Sequence, residues 1–226
     1  MVVHKFRTGH KVHEYNEEER YNSSITVKNW KRTDLFVTPL YEFKLNIDND
    51  SIIKECFDLK NQNPKGVKKS NWADGWQSDV YDFLTIGKNT TPAIQNLAKE
   101  VIELSKDMVE NYGGDNDKLP DESIGWWINI NKGMGYNVVH THPGCSIIGI
   151  YYPQIPKNLK LGEGQLCFIR ADATSHNNIF ADIKDNCDVF LTPKEKSLYL
   201  LPSTVAHYVT PHFSDEERIS IAFNIG

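Results

Sequence analysis

From Thr91 to Gly114 the apolar residues recur every three or four positions: Ile94, Leu97, Ala98, Val101, Leu104, Ser105 and Met108 form one stripe. That is the period of a helix with a single buried face. Thr91 can cap its start, Pro92 sits where a missing N–H costs nothing, and Gly113 is placed to end it. At 1.5 Å per residue the helix is roughly 30 Å long, enough to lie across a whole sheet. A shorter helix is predicted from Ser51 to Lys60, with Asp48 or Asp50 as its cap.

The pattern changes after the long helix. Short alternating runs, "IGWWININ", "CSIIGIYYP", "QLCFIR", "DVFLT", "KSLYLLP", "AHYVT" and "RISIAFNI", are divided by Gly, Pro, Asn and Asp. About seven strands at this spacing predict a sandwich or barrel. Upstream, "DLFVTPLYEFKLN" (Asp34 to Asn46) reads as an edge strand interrupted by Pro39. Residues 1–33 are polar and lack sustained periodicity, so they read as an N-terminal arm or extension, with the domain proper at 34–226. Such an arm could exchange between protomers of a homodimer. The segment Ala171 to Cys187 is long and polar, the pattern of a lid or binding loop over the open end.

Composition narrows the class. A chain of 226 residues with 39% hydrophobic and 24% charged positions has the makings of one medium globular domain. A net charge of -5 disfavours nucleic-acid and anionic-membrane surfaces as partners, since both require a surplus of Lys and Arg. Without an apolar leader or a membrane-length run, the expected location is cytoplasmic. The four cysteines, Cys56, Cys145, Cys167 and Cys187, are widely spaced and predicted to be reduced thiols.

The candidate chemistry begins at "NVVHTHPG", where His140 and His142 stand one residue apart before Pro143. They are either two metal ligands or two polar side chains near a strand end. His207, in "LLPSTVAHYVTP", opens a later strand and is by itself compatible with a structural role. On the last strand Ile219, Ile221, Phe223 and Ile225 face one way, while Arg218, Ser220, Ala222 and Asn224 face the other. If that second face is interior, Arg218 needs an anionic partner, and a bound anion is a candidate; otherwise it is a rim arginine in solvent.

Taken in order, "LFVTPLY", "GWQS" (Gly75 to Ser78), "HTHPG", "GIYY" and "HYVTP...ERISIAFNI" give the chain from about Leu35 to Ile225 a resemblance to the 2-oxoglutarate and iron(II)-dependent oxygenases, in particular a bacterial and phage group with prolyl-hydroxylase-like members. The resemblance implies a mainly β fold with flanking helices, a double-stranded β-helix of the jelly-roll and cupin-like kind. It implies Fe(II) held by His140, His142 and His207, and 2-oxoglutarate held through its distal carboxylate by Arg218, with Ser220 and Tyr152 assisting. The activity implied is that of a dioxygenase, a hydroxylase of unspecified substrate that consumes 2-oxoglutarate and dioxygen.

One departure is evident: the usual metal set is two histidines and a carboxylate, and His142 stands where the carboxylate would be. The group resembled carries the same histidine, which is therefore read as a ligand; Asp172 or Asp79 could instead bring a carboxylate from elsewhere. Trp76, Gln77 and the Ala171 to Cys187 loop are candidates for the substrate side, or else core and surface. A cupin-type three-histidine metalloprotein is the main rival, but it normally adds a glutamate soon after the histidine pair, and none occurs before Glu163. A non-catalytic β-helix protein is the other.

Overall fold

In this computed structural model, residues 38–82, 91–119, 124–169 and 189–226 are described in full, together with the backbone of residue 188 and of three N-terminal strands. Those strands, β1 (His4–Lys5), β2 (Lys11–Tyr15) and β3 (Trp30–Thr33), pair antiparallel as a small sheet within the segment read as an arm. The loop expected to act as a lid, Ala171 to Cys187, lies outside the described residues, as do Asp172 and Cys187.

Two larger sheets carry the domain. Their strands are β4 (Tyr41–Lys44), β5 (Asn71–Trp72), β6 (Gly75–Gln77), β7 (Tyr81–Asp82), β8 (Ile124–Asn131), β9 (Tyr136–His140), β10 (Ile147–Gln154), β11 (Leu166–Ile169), β12 (Asp188–Leu191), β13 (Ser197–Pro202), β14 (His207–Val209) and β15 (Arg218–Ile225). The major sheet runs β4-β13-β10-β15-β8-β6, with β7 also on β8; the minor sheet runs β12-β11-β14-β9-β5. Every pairing is antiparallel. Two facing antiparallel sheets with helices outside one of them form the double-stranded β-helix expected from the sequence. The edge strand predicted for Asp34 to Asn46 is the short β4, which starts beyond Pro39, and the pairs β5 and β6 were not anticipated.

Period-two alternation divides the interior into two compartments. Ile124, Trp126, Ile128 and Ile130 of β8 and Ile219, Ile221, Phe223 and Ile225 of β15 face outward from the sandwich and pack under two helices. These are α1 (Asn49–Gln62) and α2 (Pro92–Asn111). On the opposite face Ile148, Ile150 and Tyr152 of β10 meet Leu166, Phe168 and Val209 of the minor sheet in a second, smaller core. Both faces of the central strands are therefore buried, but the second has room left over.

The helices start for different reasons. Asp48 caps α1, its carboxylate accepting from the Ser51 N–H (3.2 Å) and hydroxyl (2.6 Å). Thr91 occupies the cap position of α2, yet its buried hydroxyl makes no hydrogen bond. Glu55 of α1 does that work: its carboxylate accepts from the N–H groups of Ala93 and Ile94, each at 2.9 Å. A glutamate from a neighbouring helix has a longer reach than a local hydroxyl and carries the charge that a helix N-terminus favours. The helix ends as expected, with Gly113 at φ 86° and the Gly114 N–H donating to Val109 O at 2.8 Å. Its buried stripe includes Ile102, while Leu104 sits at the half-buried margin.

Glu55→Ala should therefore destabilise the protein by about 1–2 kcal/mol, whereas Thr91→Val should stay within about 0.5 kcal/mol of the parent. Urea unfolding midpoints of the two variants check this, and the reverse order would mean that Thr91 is the working cap.

Candidate metal centre

The register of the minor sheet builds the centre. β14 pairs with β9 so that His207 lies directly opposite His140, and a register shift follows between His207 and Val209. Two residues beyond His140 the chain leaves the strand and carries His142 back over the same space. The three rings stand 4.4 to 5.1 Å apart by centroid, and one ligating atom from each lies within 4.8 Å of the others.

Each ring is held by its Nδ1. His140 bonds Val138 O at 2.7 Å, His207 bonds Val205 O at 2.9 Å, and His142 bonds Asn224 Oδ1 at 2.6 Å. Carbonyl and amide oxygens only accept, so Nδ1 donates in all three and the neutral ring keeps its lone pair on Nε2. The His142 Nε2 is buried and has no hydrogen-bond partner. Such an orphaned lone pair in a cluster of three fits the donor set a divalent transition metal takes.

Electrostatics suit that role. Burial lowers all three histidines, and His207 falls to about 3, with the His140 charge acting in the same direction. They therefore remain neutral across physiological pH. Trp127 stacks on His142 at 5.4 Å, which fixes the ring and keeps water from one face of it.

Arg218, Ser220 and Tyr152 converge on the same cavity, about 380 Å³ including the part open to solvent, which the three histidines line from the minor-sheet side. The interior reading of the last strand is correct. Arg218 is 1% exposed, yet its Nε and Nη1 have no partner, and no carboxylate among the described residues is paired with it. Tyr152 is fully buried with an unpartnered hydroxyl, burial raises it to about 12, and its ring lies 5.6 Å from the guanidinium. An unpaired buried guanidinium beside an unpaired buried phenol is a site for an anion.

Other expectations resolve differently. Trp76 belongs to the core under the helices, its Nε1 donating to Asn63 O at 2.9 Å. Gln77 is buried opposite Asn129 but does not line the cavity. Asp79 is exposed and faces the Asn63 amide at 3.5 Å, away from the histidines. It supplies no carboxylate to them. Cys56 and Cys145 are free thiols.

The sequence reading passed over a polar wall. Asn137 donates to Ser70 Oγ (3.2 Å) and Asn129 Oδ1 (3.5 Å) and accepts from Asn131 (3.1 Å). Ser70, Asn129 and Asn137 line the cavity between the histidines and Arg218. The available signal was the spacing in "WWININ", which puts two asparagines beside Trp127 on the face opposite the isoleucines.

Comparison with known proteins agrees with this geometry. Residues 125–224 match the family model described as "Putative 2OG-Fe(II) oxygenase". No curated protein sequence matches the chain. Among solved structures, a prolyl-4-hydroxylase from Pseudomonas putida is similar at 12% identity and TM-score 0.55, covering 82% of this chain and 91% of its own. A Trichoplax adhaerens prolyl hydroxylase, solved with a hypoxia inducible factor peptide, is similar at 13% identity and TM-score 0.57 over 82% of each chain. HygX from Streptomyces hygroscopicus, solved with nickel and 2-oxoglutarate bound, is similar at 10% identity and TM-score 0.52, covering 84% of this chain and 83% of its own. The shared fold is that of the double-stranded β-helix oxygenases, and together with the family match it supports the 2OG-Fe(II) oxygenase family named from the sequence.

The depressed His207 also has a thermodynamic sign. Its unfolded value is near 6.5 and its folded value about 3, so below pH 6.5 the unfolded chain binds a proton that the fold refuses. Metal-free protein should lose stability as pH falls from about 6.5 towards 3, and His207→Phe should flatten that slope. Denaturation midpoints across this range are the measurement; an unchanged slope would place the proton elsewhere.

Proposed function

We propose that this protein is a non-heme iron(II) and 2-oxoglutarate-dependent dioxygenase of hydroxylase type, with His140, His142 and His207 as metal ligands and Arg218, Ser220 and Tyr152 as the co-substrate's carboxylate site. The observation that carries the reading is the cavity's unpaired polar set: three imidazoles turned to one point from the minor sheet, and an unpartnered guanidinium and phenol on the major sheet. A cation and an anion complete such a cavity. A divalent metal held by the histidines would supply the first, and a dianionic co-substrate held by Arg218 would supply the second and balance the charge.

Iron(II) with 2-oxoglutarate, when bound, supplies dioxygen activation coupled to oxidative decarboxylation of the co-substrate to succinate and carbon dioxide. The chain's own residues orient and shield. His140 and His207 hold their tautomers through backbone carbonyls, so ligand direction is set by the main chain. The buried Arg218 fork would give a distal carboxylate two parallel donors at the cavity wall, and the buried Tyr152 hydroxyl would add a third. Trp127, Ile150, Leu166, Val209 and Ala222 make up the apolar lining. Arg218 also weighs against a cupin-type metalloprotein, which has no use for a buried cation on this strand.

About one divalent metal per chain is expected, with most of it lost in His207→Ala and in His140→Ala. Metal analysis of protein purified without oxygen tests this; unchanged content in both variants would mean that the centre is misassigned.

Arg218→Lys should weaken 2-oxoglutarate binding and Arg218→Ala should weaken it further, by about 2–5 kcal/mol, with little change in metal affinity. Titration of the anaerobic iron(II) protein with 2-oxoglutarate, followed by its charge-transfer absorbance, measures this. Equal affinity in the parent and Arg218→Ala would remove Arg218 from the co-substrate site.

A further inference from the structure

We infer that Asn224 is a positioning residue matched to His142: its side-chain carbonyl is what lets an imidazole serve as a ligand at the place where the family's usual set has a carboxylate. The inference rests on the metal-centre reading above and concerns how that centre is held.

The three histidines are not held alike. His140 and His207 each donate Nδ1–H to the backbone carbonyl two residues before them, a bond that depends on strand geometry alone. His142 lies beyond the end of β9, where no such carbonyl serves it. Its Nδ1 partner is the side chain of Asn224, 82 positions further along the chain, at 2.6 Å. Asn224 belongs to the same inward face of β15 as Arg218, Ser220 and Ala222, which line the cavity, and it stands opposite Ile148 and Gly125 on the flanking strands. One strand thus carries the buried cation near its start and the histidine's acceptor near its end.

An acceptor is required at this place for a chemical reason. Without one, the neutral imidazole of His142 can carry its proton on either nitrogen, and a proton on Nε2 abolishes the ligand. The Nε2 is buried without a partner, so nothing on that side opposes the wrong tautomer. Trp127 restrains the ring's plane but offers no acceptor to Nδ1. An amide oxygen fixes the proton on Nδ1 without adding charge, which a carboxylate would do. A carboxylate ligand at position 142 would bind metal directly and would have no proton for Asn224 to accept. The two positions are therefore coupled by chemistry as well as by distance.

A double-mutant cycle over positions 142 and 224 tests this, read as anaerobic Co(II) affinity by chelator competition. Asn224→Ala should weaken affinity roughly 10–100-fold when His142 is present. In the His142→Asp background the same change should cost less than about 3-fold, because the new ligand has no N–H to orient. Asn224→Asp keeps an acceptor oxygen and should retain affinity in the parent background. A second readout needs no metal: long-range proton–nitrogen correlation spectra should report the Nδ1–H tautomer at His142 in the parent and a tautomer mixture in Asn224→Ala. An equal loss in both backgrounds, or a pure Nδ1–H tautomer in Asn224→Ala, would overturn the inference. If His142→Ala keeps its metal, the centre itself is misassigned. If His142→Ala loses metal while Asn224→Ala keeps it, the centre stands and this inference alone falls.

Discussion

The architecture depends on β15 being buried on both faces. A strand in the middle of the major sheet, with helices on one side and a second sheet on the other, leaves little solvent for either row of side chains, Asn224 alone being half-buried. One row, Ile219 to Ile225, is uniformly apolar and closes the core under the helices. The other begins with a buried guanidinium and ends with a half-buried amide, and burying such groups is tolerable only if something meets them. The amide finds His142 within the protein. The guanidinium finds no anion there. This asymmetry along one strand converts a packed sandwich into one with a polar cavity at its centre.

Much of this was legible in the chain because it rests on short-range periodicity. The two-residue alternation of "RISIAFNI" and the three-to-four-residue stripe after Pro92 each specify which side of an element is buried, and both faces emerge as read. The Asp48 cap is equally local, its carboxylate accepting from the N–H and hydroxyl of Ser51 three residues on. The grouping of the histidines was less so: nothing in the spacing of "HTH" requires His207 to sit opposite His140, and that expectation came from family resemblance. Glu55 at the start of α2, the Asn224 acceptor and the Asn137 wall are contacts between elements distant in sequence, which composition and periodicity do not encode. The short β5 and β6 escaped for another reason, since strands of two and three residues are too brief to show a period.

The histidine at position 142 changes the charge balance more than the shape. With the proposed ligand set, three neutral imidazoles and a buried guanidinium would leave a loaded centre more positive than one containing a carboxylate. The described cavity lining offers amides and hydroxyls but no acid to offset this. On the proposed function a dianionic co-substrate would complete the site electrostatically, and the affinity for it and for the metal should be mutually reinforcing. The long polar wall of Ser70, Asn129 and Asn137 can solvate such charge through dipoles without neutralising it.

The facing of His140 and His207 across β9 and β14 has a consequence for assembly. Side chains alternate, so a slip of one residue in β14 would turn His207 out of the cavity and bring Tyr208 in. An ion held by both strands would act as a clasp on two segments far apart in the chain, rewarding only the correctly registered pairing. Chelation would then be a form of proofreading: a chain that captured metal through all three histidines would already have aligned its minor sheet, and one that misaligned it would have lost His207 from the set.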